Sequence, residues 1–378
     1  MVNAAIIGLG YMGKIVLEVL YGMPKVDVVA VADPEIDSLE ETVEEYEIEK
    51  AFKDYTALIK DDAIDVFHNC TPSHLHFKVN KDIIKNGQNL ITEKPLALSG
   101  EKAEELLTLS RDTDSNVGLN FCYRYYPVVQ EAAAKVRDGE IGHLNVVMGS
   151  YLQDWLFHET DYSWRLKEEY AGESNAIADI GSHWCDLSQF VTGNKITEVM
   201  ADLKTIIPVR KRSKDRVETF GGSSSEEFED IEVDLEEYGS VLVRFDNGAR
   251  GSFTVGQVCA GKKCSIDLQI YGSEASLAWN HENANRLWIG HRDKANEEFI
   301  ENPELQKEET KKYATLPAGH PLGYYDANRN LFSDLYDRFM DENSNSGLAF
   351  PDIDSGAYEA KIVEAIVESH KTESWVSV

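Results

Sequence analysis

The sequence predicts an α/β protein: an N-terminal, doubly wound parallel sheet followed by a second part built on antiparallel strands. Three observations carry this. A glycine fingerprint, Gly8-Leu9-Gly10-Tyr11-Met12-Gly13, follows the apolar run Ala4-Ala5-Ile6-Ile7 almost at the start of the chain. Apolar runs then alternate with helical patterns through the first third. After residue 122 the pattern changes to successive strand-like runs joined by short turns, which imply antiparallel pairing.

The fingerprint stands between a strand and a helix, with Ile15, Val16, Val19 and Leu20 at helical spacing. The next apolar run, Val26 to Ala32, ends on Asp33, 20 positions after Gly13. Strand, glycine turn, helix, strand and acid together are the context of a Rossmann dinucleotide site. Gly8 permits the tight turn, Gly10 lets the main chain approach a pyrophosphate, and Gly13 lets the helix lie close to the sheet. The phosphates then face free N–H groups at the positive end of a helix, with Tyr11 and Met12 in its first turn. Asp33 is placed to accept hydrogen bonds from the adenosine ribose hydroxyls. A 2′-phosphate there would meet a fixed negative charge, a repulsion of about 4 kcal/mol per unit-charge pair at ~4 Å and an effective dielectric near 20. Pro34, Glu35, Ile36 and Asp37 supply no compensating cation, so the expected cofactor is NAD, not NADP.

Further strands are expected at Ile64 to Asn69, Asn89 to Thr92 and Asn116 to Asn120, with helices between them, one capped by Ser99. In the second part, helices are expected over 127–138 and 178–191. Strands are expected at 143–152, 198–209, 239–245, 249–257, 263–272 and 275–279, with a hairpin turn at Asp246-Asn247-Gly248-Ala249. Residues 211–230 read as a mobile polar loop and 291–318 as irregular. Helices near 323–342 and 354–370 close the chain. These boundaries suggest an NAD-binding domain at 1–122, a second domain at 123–350, to which the family resemblance described below assigns substrate binding and oligomerisation, and a C-terminal helix at 351–378 packing back on the first domain.

At 378 residues the chain exceeds what one core comfortably holds. With 37 basic and 67 acidic residues its net charge is −30, which opposes nucleic-acid and anionic-membrane partners. No apolar run approaches the ~18 residues needed to span a bilayer, and no signal peptide is evident, so the expected location is cytoplasmic. The five scattered cysteines form no C-x-x-C, and no metal site is expected.

Glu93-Lys94-Pro95 follows a strand at the ligand-facing edge of the parallel sheet. A lysine there can stabilise a developing alkoxide; the plain alternative is a surface lysine held by Glu93. A cis bond at Lys94–Pro95 fits the motif. Asp179 and His183 lie four apart at the start of a helix and share a face. A carboxylate there can orient an imidazole and raise its basicity, making His183 a general base; Asp186 is an alternative, and a structural histidine on a capped helix is the plain reading. Thr71, Pro72 and His76 follow the strand 64–69, where the cofactor ribose or nicotinamide passes. Trp164-Arg165 and Gln153-Asp154-Trp155 are aromatic–polar mixtures suited to stacking on, and hydrogen bonding to, sugar rings, although such aromatics also serve as core.

In this order and spacing, the N-terminal fingerprint, Thr71-Pro72…His76, Glu93-Lys94-Pro95 and Asp179-Ile180-Gly181-Ser182-His183 resemble the glucose–fructose oxidoreductase/inositol dehydrogenase (Gfo/Idh/MocA) family, over essentially the whole chain. The resemblance implies a Rossmann domain plus an α/β domain with a large open antiparallel sheet, often used for dimer or tetramer contacts. It also implies a substrate pocket lined by Lys94, Asp179 and His183, the histidine being the proton acceptor or donor. Tyr151 to Leu156, Trp164 to Leu166, Gly319-His320-Pro321 and Asn328 to Phe332 look like a sugar-oxidising branch. Phe121-Cys122, before Tyr123 and Arg124, departs from relatives that carry Tyr or Asn there.

The expected function is NAD-dependent oxidation or reduction of a hydroxyl-bearing carbon of a sugar, anhydrosugar, glycoside or cyclic polyol, by a homodimer or homotetramer. Catalysis is expected from Lys94, Asp179 and His183. Gly8, Gly10, Tyr11, Met12, Gly13, Asp33, Thr71, Pro72, His76, Glu93, Lys94, Trp164 and Arg165 are expected on the cofactor, and Tyr123, Arg124, Gln153, Trp155, Asp179 and His183 on the substrate. Two other readings fit the same motifs: an NAD-dependent glycoside hydrolase working by transient oxidation, distinguished by no net NADH release, and a non-catalytic nucleotide or sugar sensor. Asp33 makes a first prediction: kcat/KM is far higher with NAD than with NADP, as side-by-side initial rates will show.

Overall fold

The computed structural model describes residues 1–213, 227–340 and 350–378. It divides into two compact units, 1–122 with 324–360, and 123–323 with 361–378.

The first unit is a six-stranded parallel sheet. Its strands are β1 (Val2–Ile7), β2 (Val26–Ala32), β3 (Lys50–Phe52), β4 (Val66–Asn69), β5 (Asn89–Thr92) and β6 (Val117–Leu119), in the spatial order β3-β2-β1-β4-β5-β6. The order reverses beside β1, so the switch point lies between β1 and β4, where an open α/β sheet binds its ligand beyond the carboxyl ends of the strands. Those ends are Gly8, Asp33, Cys70-Thr71, Glu93-Lys94 and Asn120. All-parallel pairing puts them on one edge. The core joins Ala5, Ile7, Phe67, Leu90 and Leu119 of the strands to Ile83, Ile84, Leu106 and Leu107 of the covering helices. Both faces are covered, which is why the strands read as unbroken apolar runs.

Helix Tyr324–Met340 belongs to this unit, not to the second as the boundary at 350 implied. The reason is packing: its Leu335 fills the space that a side chain at Gly118 would take, and its Asn328 accepts from Asn120 Nδ2 at 3.0 Å. Its Tyr336 hydroxyl meets His68 Nε2 at 2.9 Å. The last helix, Ile353–Thr372, gives Ile353, Ala357 and Ala360 to the same core, whereas residues 361–378 group with the second unit. The expectation that all of 351–378 packs on the first domain is therefore corrected: Ser369 and His370 bond the main chain of the second unit.

The second unit is built on a nine-stranded sheet, ordered β16-β15-β14-β13-β7-β12-β11-β8-β17. The strands are β7 (Leu144–Leu152), β8 (Ile196–Lys204), β11 (Tyr238–Phe245), β12 (Arg250–Gly256), β13 (Ser265–Gly272), β14 (Ser276–Asn280), β15 (Arg286–Gly290), β16 (Glu297–Ile300) and β17 (Val376–Ser377). All neighbours are antiparallel except β12 and β7. Gly248, at φ +90°, closes the expected β11–β12 hairpin, where Asn247 Oδ1 accepts from Ala249 N at 2.9 Å. Register sorts the two faces. One cross-strand row is buried through Val199, Val243, Val147, Ile270 and Leu277; the adjacent row runs Met200, Leu242, Ser252, Met148, Gln269, Ala278, Trp288 and Glu298. In that second row Leu242, Met148 and Trp288 are exposed.

Two smaller expectations change. Strands β9 (Val209–Ser213) and β10 (Phe228–Glu232) pair where a mobile loop over 211–230 was expected; its centre, 214–226, lies outside the described residues. The supposedly irregular stretch 291–318 contains β16, a short edge strand with no apolar alternation to announce it. Among the described residues no helix is long and apolar enough to cross a membrane, and all five cysteines are unbridged.

Burial pushes the His68 pKa down to about 3 from 6.5. The folded pKa lies below the unfolded one, so the unfolded chain binds the extra proton, and stability falls as pH drops through 6.5 toward 3. The expected loss from this group between pH 7 and 5 is about 2 kcal/mol. Denaturant titrations at the two pH values will show a smaller loss in His68→Gln, which keeps a polar partner for Tyr336 but does not titrate.

Candidate active site

In the first unit the glycine turn is set by main-chain contact. Gly8 has φ +92°, and a Cβ there would stand 2.8 Å from the Cys70 carbonyl oxygen. A Cβ at Gly13 would stand 1.9 Å from the Gly8 carbonyl oxygen, so only glycine lets helix Tyr11–Tyr21 start this close to β1. Gly10 differs: a Cβ would meet nothing within 4 Å, and its φ of −68° suits any residue. Packing within the protein gives no reason for glycine at 10, whereas a pyrophosphate on the turn does. Asp33 closes the turn from the other side. Its Oδ2 accepts from Leu9 N at 2.6 Å and its Oδ1 from Glu35 N at 2.8 Å, which fixes the carboxylate beside the fingerprint with lone pairs to spare for ribose hydroxyls.

A buried polar chain ties the remaining carboxyl-edge loops together. Thr71 N and Oγ1 both donate to Asn69 Oδ1, at 3.2 and 2.7 Å. Asn69 Nδ2 donates to Asn80 Oδ1 at 2.8 Å, and Asn80 Nδ2 to the Leu96 carbonyl at 3.1 Å. His76, placed among the cofactor contacts by sequence, is 1 % exposed and lies between two carbonyl oxygens, of Thr71 and Pro95, each 2.7 Å from a ring nitrogen. Burial pushes its pKa down, and a neutral ring can donate to only one of the two. Its observed contacts join the Thr71 turn to the Lys94-Pro95 loop, whose peptide is cis. Glu93 Oε1 accepts from Asn120 Nδ2 at 2.6 Å, and half-buried Lys94 stands next to it at the end of β5. Tyr11 is exposed, and Met12 Sδ receives the Tyr324 hydroxyl at 3.7 Å.

In the second unit, Asp179 lies within a π-turn, Ile177–Gly181, that runs directly into helix Ser182–Thr192, which carries His183. Such turns concentrate at functional sites. Asp179 Oδ2 accepts from Gln257 Nε2 at 3.1 Å, and Oδ1 faces Arg165 Nε at 3.6 Å. The His183 ring meets the Tyr123 ring edge-on at 4.9 Å between centroids and lies 6.2 Å from that of Tyr151. Tyr123 and Tyr151 share a 2.9 Å hydroxyl contact, and both hydroxyls reach Cys264 Sγ, at 3.2 and 3.1 Å. Burial holds the Tyr151 phenol far above its usual range, so it stays protonated. Burial also raises the Cys264 thiol, but hydrogen bonding from His281 and the two tyrosines reverses this and leaves it below its ordinary value. Gln153 Oε1 accepts from Trp155 Nε1 at 2.8 Å, and its Nε2 donates to Tyr151 Oη at 3.3 Å, so these two candidates join the same cluster.

One assignment read from the sequence changes. Arg124, expected on the substrate, is buried and grips Asp186 bidentately, with Nε 2.8 Å from Oδ2 and the Nη2–Oδ1 contact beside it. That pair is a buried brace, and it also removes Asp186 as an alternative base. Arg165, grouped with the cofactor contacts, lies beside Asp179, and its guanidinium stacks 4.4 Å over the Trp164 ring. Its buried Nη1 meets no acceptor among the described residues. Sequence reasoning missed Asn69, Asn80, Gln257 and Glu236; Asn80 lies within helix Ser73–Lys85 and the others at the end of an apolar strand or between strands, where no spacing marks them.

The chain belongs to the Gfo/Idh/MocA family. Residues 2–121 match the model described as the oxidoreductase family, NAD-binding Rossmann fold, and residues 129–278 match the GFO/IDH/MocA C-terminal domain. It is an NAD-dependent oxidoreductase. It is 29% identical to levoglucosan dehydrogenase of Pseudarthrobacter phenanthrenivorans over 399 residues, covering 100% of this chain and 98% of that one. It is 23% identical to scyllo-inositol 2-dehydrogenase (NAD(+)) of Bacillus subtilis over 278 residues, 73% of each chain. Among solved structures, levoglucosan dehydrogenase in complex with NADH and L-sorbose superposes with a TM-score of 0.88 at 27% identity, covering 100% of this chain and 98% of that one.

Two predictions follow from this geometry. Gly10→Ala changes unfolding free energy by less than about 1 kcal/mol while weakening NAD binding roughly tenfold or more, whereas Gly13→Ala lowers stability as well; calorimetric titration and denaturant unfolding separate the two. Arg124→Ala, which takes the guanidinium away from the buried Asp186 carboxylate, destabilises the fold by roughly 3–5 kcal/mol, read as a lowered denaturation midpoint.

Proposed function

We propose that this oxidoreductase transfers hydride between NAD and a hydroxyl-bearing carbon of a sugar, anhydrosugar, glycoside or cyclic polyol, with His183 as general acid/base. One observation carries the reading best. A histidine set edge-on against a tyrosine lies four residues from a carboxylate that is itself held by an amide and faced by an arginine. That arrangement supports His183 as a proton acceptor, in a chain with an NAD-binding domain.

NAD, when bound, supplies the hydride acceptor. In the oxidising direction His183 takes the hydroxyl proton as the C–H bond breaks. Asp179 orients the hydroxyl and favours the protonated imidazole by its negative charge. Lys94 stabilises the developing alkoxide. Reduction runs these steps backwards. Gln153, Trp155, Trp164 and Arg165 offer stacking surfaces and donors for a ring bearing several hydroxyls. The similarity to levoglucosan dehydrogenase over nearly full length makes a 1,6-anhydrohexose the first compound to test.

The row Leu242, Met148 and Trp288 exposes apolar side chains on one face of the nine-stranded sheet. We assign that face to a second copy of the chain, giving a dimer or tetramer.

A panel of monosaccharides, anhydrosugars, glycosides and inositols, followed by NADH absorbance, tests the activity. Stoichiometric NADH with at least one sugar or cyclic polyol is expected; bond cleavage without net NADH would replace this reading with the hydrolase. With the best compound, His183→Ala and Lys94→Ala each reduce kcat by about 10²–10⁴ with NAD affinity nearly unchanged. Normal turnover in both variants would reject the assignment.

A further inference from the structure

A chain of buried polar groups leads from the main chain to Asp179. Asn175 Nδ2 donates to the Glu236 carbonyl oxygen at 3.0 Å and to Gln257 Oε1 at 2.6 Å. Gln257 Nε2 then donates to Asp179 Oδ2 at 3.1 Å. A carbonyl oxygen only accepts, so the group of Asn175 that faces it must be the NH₂. That NH₂ needs an acceptor at its second hydrogen, which makes the near atom of Gln257 its oxygen. The far atom is then the NH₂, and it points at Asp179. The polarity of the whole chain is thus fixed from one end, with no freedom for either amide to flip.

The anchoring end is rigid. The Glu236 carboxylate accepts from Ser174 Oγ at 2.7 Å, Asn175 N at 3.1 Å and Ile177 N at 3.0 Å, where the π-turn begins. Ser174 Oγ in turn accepts from Ala178 N at 3.2 Å. Burial raises the Glu236 pKa, and these donors work against it. Gln257 itself is 0% exposed, and its own N–H donates to the Glu237 carbonyl oxygen at 2.9 Å. A buried primary amide costs stability unless every polar atom is met. An apolar side chain of the same size would fill the space at lower cost, but it would remove the Gln257 N–H from Asp179 Oδ2.

We propose that Gln257 is a positioning residue: held through Asn175 by the main chain of Glu236, it fixes the Asp179 carboxylate in one orientation and favours its ionised form. The inference rests on the reading of Asp179 as a group that acts on the substrate hydroxyl. Among the described charged and titratable groups near Asp179 are Arg165 at its other oxygen, Tyr151, whose phenol feels its charge, and His183 on the following helix. Arg165 adds a fixed positive charge, and Gln257 supplies the directed neutral donor.

The test titrates Asp179 directly. Protein labelled with carboxyl-¹³C aspartate is followed by NMR from pH 3 to 8, and Asp179→Asn identifies the signal. Gln257→Leu is expected to raise the Asp179 midpoint by about one pH unit, and Gln257→Glu, which adds a second carboxylate, by more. Asn175→Ala, which cuts the chain one link further out, moves it in the same direction by less and serves if Gln257→Leu fails to fold. With the best compound from the sugar panel, Gln257→Leu lowers kcat roughly tenfold, leaves NAD affinity unchanged, and moves the acid limb of the pH–rate profile by the same amount as the NMR midpoint. A folded Gln257→Leu with an unmoved midpoint and wild-type kcat overturns the proposal. Full activity in Asp179→Asn instead overturns the reading of Asp179, and the NMR midpoint still decides whether Gln257 holds it.

Discussion

The carbonyl oxygen of Gly8 lies so near Gly13 that a Cβ at 13 would fall 1.9 Å from it, and the chain at Cys70 crowds Gly8 from the other side. The cofactor-binding half of the protein follows from this contact. Helix Tyr11–Tyr21 starts directly against the end of β1, with its free N–H groups at the switch point of the sheet. Asp33 reaches back to the Leu9 amide from the end of β2, and β4 delivers Thr71 beside the same turn. Main-chain approach at a few glycines therefore decides where phosphate, ribose and nicotinamide can lie, before any side chain is chosen to touch them.

The second unit solves a different problem. A helix that carries His183, entered through the turn that carries Asp179, must begin at a defined place, because its first N–H groups have no partners within the helix. Here a buried glutamate from the segment before β11 meets those groups. The same segment offers its carbonyl oxygen to Asn175 and so starts the amide chain that ends on Asp179. Capping and carboxylate orientation are coupled in one network, which is how a group at the edge of a sheet sets the geometry of a residue several links away. The aromatic side of His183 is built separately, from Tyr123 and Tyr151 with Cys264 and Gln153 behind them.

Legibility followed the physics of each element. The parallel sheet was readable because strands buried on both faces must be apolar along their whole length. The fingerprint was readable because close main-chain approach admits few residues. The hairpin at Asn247-Gly248 was readable because φ near +90° selects glycine. Helix Tyr324–Met340 was visible as a helix but not as a part of the first unit, since amphipathicity shows that a face is buried and not against what. Arg124 was misread for a related reason: a guanidinium buried on a carboxylate and one exposed to a substrate have the same local sequence.

The sequence by itself determined the Rossmann sheet, the dinucleotide turn with its acid, the family, and the spacing of Asp179 and His183. Each rests on local periodicity or on residues within one turn or one strand–helix unit, where short-range geometry leaves few choices. Tertiary structure alone decided that Asp186 is taken by Arg124, that His76 spans two loops, and that Gln257 holds Asp179. Apart from the short reach of His76 to Thr71, those pairings join residues 19 to 78 positions apart in the chain. A hydrogen bond depends on distance and direction in space, and the order of residues along a chain carries neither until the chain has folded.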